Sequence, residues 1–173
     1  MRIDTELKTG DILHCYGHGV ISKLIRWFTK SWASHTAVVV EVWGQIYIVD
    51  AQKNGTNPKP IEAWLREYEY DVIVSRPTTG PKDTHAFSIR AFTKVGLTGY
   101  DFGSLFWKHP WSIITGKDLK RDPNDERMVC SEYVAWLYHI ENPFRMTPKM
   151  MKEYCEREDF INFPLEYNLE INK

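Results

Sequence analysis

The chain has 173 residues and a net charge of −1, with 22 Lys and Arg against 23 Asp and Glu. Hydrophobic residues make up 43% of it and aromatic residues 14%, enough to bury a core without disulfides or a structural metal. This charge balance gives no reason to expect nucleic acid or an anionic membrane as a partner through bulk electrostatics. We expect a single domain over residues 1–173, with no cofactor.

The apolar periodicity predicts an ordered series of elements along the chain. A loop is predicted over residues 54–60, and a hairpin joins the second and third strands. The remaining elements predict an α+β fold with a mainly antiparallel sheet or small barrel packed with helices. The predicted strands cover residues 10–15, 35–43, 46–51 and 71–77, and the predicted helices cover 20–30, 61–68, 84–96, 100–107, 128–140 and 147–156.

Three cysteines, Cys15, Cys130 and Cys155, make an odd count, so at least one thiol forms no intrachain disulfide. The N-terminus lacks the basic-then-apolar order of a signal peptide. The longest aliphatic run in the predicted core, residues 37–40, is too short to cross a bilayer. These features predict a soluble protein made in the cytosol without a transmembrane segment. Phage-borne or non-classical export stays compatible with them.

Cys130 occupies the first turn of the predicted helix over residues 128–140. Backbone amides in a first turn carry partial positive charge, which stabilises a thiolate and can hold an oxyanion. A small buried thiol beside Val134 and Leu137 would explain the same position, because free cysteine is among the most buried residue types. Position alone therefore leaves a nucleophile and a core residue as alternatives.

His35 opens the second predicted strand, where it borders solvent and could serve as a base, although its position alone favours an ordinary strand-end histidine. Asp50 closes the next strand and could hold the imidazole in one tautomer. A two-residue turn at residues 44–45 would place Asp50 opposite Val39, roughly 13 Å along the strand from His35 at ~3.3 Å per residue. In that register Gln52 or Asn54 would be nearer to His35.

A turn centred on residues 42–43, or a bulge, would instead place Asp50 directly opposite His35. The residues alone leave Asp50, Gln52 and Asn54 as rival partners of the imidazole. The stretch over residues 14–18 holds two His and one Cys, but His14 and Cys15 would point to opposite faces of a strand. We therefore expect no metal site there. Cys155 lies in an amphipathic helix and is expected to pack in the core.

A series of short motifs covers roughly residues 8–163. In chain order they are "GDILHC", "SHTAVVVE", "YIVDA", "VSRP", "YDFGSLF", "VCSEYV" and "TPKMM". Their order and spacing resemble the YiiX/YebB-like branch of the NlpC-type cysteine hydrolases, which are circularly permuted relatives of the papain fold. The resemblance implies a permuted papain-like fold with a Cys/His/acid triad.

The resemblance places the histidine of the triad at His35, in "SH", and the nucleophile at Cys130, in "CSE". It places the orienting acid at Asp50, in "VDA", where relatives often carry Glu. The implied activity is thiol-dependent hydrolysis through a thioester acyl-enzyme, first of all on an amide bond of a cell-wall-type peptide such as a peptidoglycan fragment. Hydrolysis or transfer of a lipid acyl group is the alternative. A non-catalytic binding or structural domain is a third possibility.

Four tryptophans offer an apolar lining for an acyl chain, although aromatic residues more often belong to a core. Substrate-binding residues are otherwise not indicated by the sequence. The four are Trp32, Trp43, Trp107 and Trp111.

Overall fold

The structure is a computed structural model, and it describes residues 2–52, 55–68, 70–96, 128–157 and 159–168. The helix predicted over residues 100–107 lies outside them. The strands are Arg2–Ile3 (β1), Ile12–Tyr16 (β2), His35–Val42 (β3), Gln45–Gln52 (β4), Gly55–Pro60 (β5), Asp71–Pro77 (β6), Phe160–Pro164 (β7) and Tyr167–Asn168 (β8). The α-helices are Val20–Thr29 (α1), Ile61–Tyr68 (α2), Thr84–Phe92 (α3), Cys130–Leu137 (α4) and Pro148–Arg157 (α5), with a 3₁₀ turn at Pro143–Arg145.

Six strands form one sheet in the order β5-β4-β3-β2-β6-β7, and every neighbouring pair is antiparallel. Strands β1 and β8 form a separate antiparallel pair. The predicted α+β class and the mainly antiparallel sheet are confirmed. The strand β3, which carries His35, is central, so both of its edges are hydrogen-bonded within the sheet.

Alternating side chains of the central strands build a core on each face of the sheet. One face packs Leu13, Val39 and Ile48 against Trp64 and other residues of α2. The opposite face packs residues of alternate parity, including Ile12, Val38 and Val49, against Tyr133, Val134 and Leu137 of α4. Helix α4 contacts β3 and β4, the two strands that carry His35 and Asp50.

The hairpin turn differs from both turns considered from the sequence. Val42 pairs with Gln45, so the turn residues are Trp43 and Gly44. Their φ angles are 51° and 77°. Two positive φ values are the mark of a type I′ turn, which matches the twist of the flanking strands and favours Gly at the second position. Turns at residues 44–45 or 42–43 would not place Gly44 there, and both predictions were wrong.

Replacing Trp43 with asparagine should stabilise the protein. Trp43 is fully exposed, so its indole contributes no buried area, while its left-handed backbone is costly for a bulky side chain. Asparagine adopts this conformation readily, and we expect Trp43→Asn to raise the free energy of unfolding by about 0.5–1 kcal/mol. Urea titration measures the change. Trp43→Ala is the control, and an equal gain in both variants would contradict the turn argument.

Three other elements differ from the sequence predictions. The loop predicted over 54–60 contains β5, and its two prolines are tolerated because β5 lies at the sheet edge. Helix α3 ends at Phe92, before Gly96, and its cap is the carboxylate of Asp83, which accepts from the Ala86 amide at 2.9 Å. Strand β7 was not predicted, and it pairs with β6 at the other edge.

Candidate active site

The start of α4 is held by two side-chain hydrogen bonds that fix the position of Cys130. Cys130 is the first residue of the helix, after Val129 in extended conformation. The Val129 amide donates to the carboxylate of Glu132 at 3.0 Å, and the Ser131 hydroxyl donates to the Met146 carbonyl at 2.6 Å. The Cys130 side chain is therefore presented from an anchored first turn, as the sequence predicted.

His35 and Asp50 meet across the β3–β4 hairpin. Val38 pairs with Val49, and the same register continued by one step puts Asp50 opposite Ala37. Asp50 is thus a diagonal neighbour of His35, about 7–8 Å away in backbone terms and within reach of a long side chain. Asp50 Oδ2 lies 2.7 Å from His35 Nε2. The structure brings these two predicted residues together, although in neither of the registers that we considered.

The same carboxylate oxygen accepts two further hydrogen bonds. Gln52 Nε2 donates at 2.7 Å and Trp64 Nε1 at 3.1 Å. Gln52, a rival partner of His35 in the sequence analysis, therefore contacts Asp50 instead. The Gln52 carbonyl accepts from the Tyr68 hydroxyl at 2.6 Å, and this hydroxyl accepts from Lys59 Nζ at 2.9 Å. Asn54, the other rival, lies outside the described residues.

The electrostatics of the site favour a charged imidazole. Burial alone would lower the pKa of His35, but the charge of Cys130 and hydrogen bonds with Asp50 and Cys130 raise it to about 10. His35 and Cys130 are 9% and 1% exposed, so their interaction is screened little by solvent. Because Nε2 faces Asp50, Nδ1 is the ring nitrogen left for the thiol. The arrangement can stabilise a thiolate beside an imidazolium.

Two aromatic residues of the site were missed by the sequence analysis. Trp64 donates to Asp50, and the ring of Tyr70 stacks on His35 with centroids 5.8 Å apart. Trp64 shares a buried stripe with Ile61 and Leu65 on α2, and that spacing was a usable signal that the indole faces the sheet. Tyr70 follows the helix in the chain, and nothing in its local sequence distinguishes it.

The remaining predicted residues lie apart from the Cys130–His35–Asp50 cluster or play no chemical part in it. Cys15 pairs with His35 across β2 and β3, but its thiol is buried, and burial followed by the charges of Asp50 and Cys130 raises its pKa. Cys155 lies on the buried side of α5 and packs in the core, as predicted.

Of the four tryptophans considered as a groove, the two that the structure describes, Trp32 and Trp43, lie apart from each other. Trp32 packs on the ring of Tyr16, with centroids 5.7 Å apart. Trp43 lies at the hairpin tip, at the opposite end of β3 from His35. Trp107 and Trp111 lie outside the described residues.

Among the helices of the described ranges, none has the length and apolarity needed to cross a membrane.

Protein-family models give no match to this sequence, and neither do curated proteins. A solved structure is similar: the crystal structure of the metalloprotein yiiX from Escherichia coli O157:H7. The two are 20% identical, the match covers 93% of this chain and 98% of that chain, and the TM-score is 0.63. At this identity the likeness shows the fold alone. The chain therefore has a YiiX-like α+β fold, as the resemblance of its motifs implied.

Proposed function

We propose that the protein is a cysteine hydrolase in which Cys130 is the nucleophile, His35 the acid and base, and Asp50 the orienting carboxylate. The observation that carries the proposal is the 2.7 Å contact between His35 Nε2 and Asp50 Oδ2 beside a thiol at a helix start. A cysteine nucleophile is activated by a neighbouring imidazole that takes the thiol proton and is held in place by a carboxylate. The order His, acid, Cys along the chain fits a circularly permuted papain-like fold.

The proposed reaction has two steps. The Cys130 thiolate attacks a carbonyl carbon to form a tetrahedral intermediate, whose oxyanion the amides of the α4 first turn can hold. The intermediate collapses to a thioester, and the departing amine or alcohol takes a proton from His35. Water then attacks the thioester while His35 removes its proton, which releases the acid and restores the thiolate–imidazolium pair. Asp50 keeps the imidazole oriented throughout.

The first substrate class we propose is an amide bond of a cell-wall-type peptide, which follows from the resemblance to NlpC-type enzymes. A second class, the acyl group of a lipid, is favoured by a specific observation. Helix α1, whose Ile25 clusters with Val129 beside the nucleophile, exposes most of its apolar side chains. An exposed apolar surface of this kind suits acyl chains better than a polar peptide.

The yiiX neighbour is a metalloprotein, and the residues of the present site do not fit a metal centre. Among the described residues, no three His, Cys, Asp or Glu side chains converge as possible ligands. The Asp50 oxygen that faces His35 already accepts three N–H donors, which leaves little room for a cation on that oxygen. The proposed mechanism therefore contains no step through a metal.

Alkylation of the three thiols by iodoacetamide tests the proposed pair. All three are at most 1% exposed, so the folded structure itself gives none of the thiols an advantage in exposure. Burial raises the pKa of Cys155 to about 12 and raises that of Cys15 as well. We expect Cys130 to react first between pH 6.5 and about 10, the interval in which an ordinary histidine has lost its proton but folded His35 keeps it. Mass spectrometry of the peptides measures each site separately.

In the His35→Ala variant, Cys130 should no longer react faster than the other two thiols near pH 6.5, because no imidazolium stabilises its thiolate. The stabilisation provided by charged His35 is complete below pH 6.5 and disappears as pH rises through about 10. Urea titrations of wild type and His35→Ala should therefore converge as pH rises. If Cys130 reacts no faster than Cys155 at pH 6.5, the proposed nucleophile is wrong.

A further inference from the structure

Helix α1 is turned with its apolar face to the outside. Of its ten residues only Ile25 is buried. Spaced by ~100° per residue, five apolar side chains cover a continuous arc of about 120°, and Ile25 lies just past one edge of this arc, about 40° from Ile21. All five are exposed, with Trp27 at 79% and Val20 at 73%. The five, which we name the α1 outer face, are Val20, Ile21, Leu24, Trp27 and Phe28.

The next feature of α1 is its charge, which is basic. The stretch over residues 20–30 holds three basic residues and no acidic one. Lys23 is exposed and lies at one border of the α1 outer face, and Lys30, also exposed, follows the last helical residue as the C-cap. The third, Arg26, is turned inward, where its guanidinium lies 3.5 Å from the Tyr16 ring centroid and donates to the Gly17 carbonyl. The whole chain has a net charge of −1, so the positive charge beside α1 is a local feature.

The inner side of α1 is anchored next to the candidate nucleophile. Ile25 forms a small buried cluster with Val129, the residue that precedes Cys130. The Arg26 contacts tie the helix to the end of β2, and the amide of Gly17 donates to Ser34 Oγ at 3.0 Å, just before His35. These contacts of Ile25 and Arg26 hold α1 with its apolar face turned outward.

We propose that the α1 outer face binds the surface of a lipid bilayer that contains anionic lipids. Lysine together with Trp, Phe and Leu is the composition of helices that lie in the membrane interface. The lysines complement the negative charge of lipid phosphates. Ten residues are too few to span a bilayer, so α1 lies along the surface.

A bilayer docked on this face would lie beside Cys130, and its lipids would then supply the acyl substrate. This consequence rests on the proposed function, whereas membrane binding itself does not. Binding is therefore measured in the full chain carrying Cys130→Ala, so that no chemistry contributes. If the thiol proves unreactive while vesicles are bound, the proposed function fails and the membrane surface stands.

The experiment is co-sedimentation with vesicles of phosphatidylcholine, with and without phosphatidylglycerol. We expect binding to the anionic vesicles, weakened about tenfold or more by the double substitution Ile21→Gln and Trp27→Gln. Trp43→Gln is the matched control, because it removes an exposed tryptophan far from α1 and should leave binding unchanged. Lys23→Gln should weaken binding about fivefold, and Lys82→Gln, another exposed lysine, should not.

Three outcomes would overturn the proposal. The first is equal vesicle binding by wild type and the double variant, or no binding by either. The second is dimerisation of the wild type that depends on concentration in sedimentation velocity and is lost in the double variant, while the wild type binds no vesicles. That result would make the face a self-association surface. The third is a fall in the free energy of unfolding of the double variant, because an outer face that binds only lipid contributes nothing to stability in water.

Discussion

Cys130→Ala is expected to abolish the acyl-enzyme and to lower kcat/KM for a reactive ester by about a thousandfold or more. The mechanism has no substitute nucleophile at the site. Cys15 is the other nearby thiol, and burial together with the charges of Asp50 and Cys130 raises its pKa, so it stays protonated. The substitution removes a single sulfur atom from a buried position, with an expected loss of about 1 kcal/mol in folding stability.

Incubation with p-nitrophenyl acetate followed by mass spectrometry measures this prediction. Wild type should carry one acetyl group on the peptide that contains Cys130, with release of p-nitrophenol in a burst. Cys155→Ala is the matched control, because it makes the same chemical change at a thiol that is equally buried but packs in the core. Full turnover by Cys130→Ala, with the fold shown intact by thermal unfolding, would exclude Cys130 as the nucleophile.

Asp50→Asn is expected to lower kcat/KM by about a hundredfold to ten-thousandfold, because the imidazolium loses its negative partner. The amide oxygen can still accept from His35, Gln52 and Trp64, so orientation is partly kept. The amide nitrogen, however, falls where Asp50 Oδ1 is buried without a hydrogen-bond partner among the residues that the structure describes. Leaving this group unsatisfied should cost about 1–3 kcal/mol of folding stability.

Two further variants separate charge from shape at this position. Asp50→Glu keeps the carboxylate and should recover most of the activity that Asp50→Asn loses. Asp50→Leu removes the acceptor of three buried donors and should be less stable than Asp50→Asn in urea titrations. The NMR titration of His35 supplies the independent measurement, because its pKa should fall in Asp50→Asn. An unchanged kcat/KM in Asp50→Asn would remove Asp50 from the mechanism.

The sequence predicted the candidate site residues because the patterns that indicate them, a hairpin and a helix start, each lie within a short stretch of the chain. Moving the hairpin turn by one residue shifts the strand pairing by two, so all three registers keep His35 and Asp50 on one face. The wrong turn therefore displaced Asp50 along the strand without removing it from the site. The position of Cys130 followed from the charged-to-apolar transition that marks the beginning of α4.

What could not be predicted depends on neighbours that are distant in sequence. Strand β7 is short and lies at a sheet edge, so its conformation is set by pairing with β6. The prolines of β5 argue for a loop unless its edge position is already known. The indole of Trp64 reaches Asp50 only after α2 packs on the sheet. Helix α1 showed an apolar stripe in the sequence, but a stripe does not tell whether it faces the core or the outside.

The separation of the three side chains along the chain has a consequence for folding. His35 and Asp50 are 15 residues apart on one hairpin, a local contact that closes early and at low entropic cost. Cys130 joins them from a helix far later in the chain. During synthesis from the N-terminus, the acid–base pair therefore exists before the thiol does. Under the proposed function, the nucleophile is activated only by this long-range closure, so an incompletely folded chain carries no reactive thiolate of this kind.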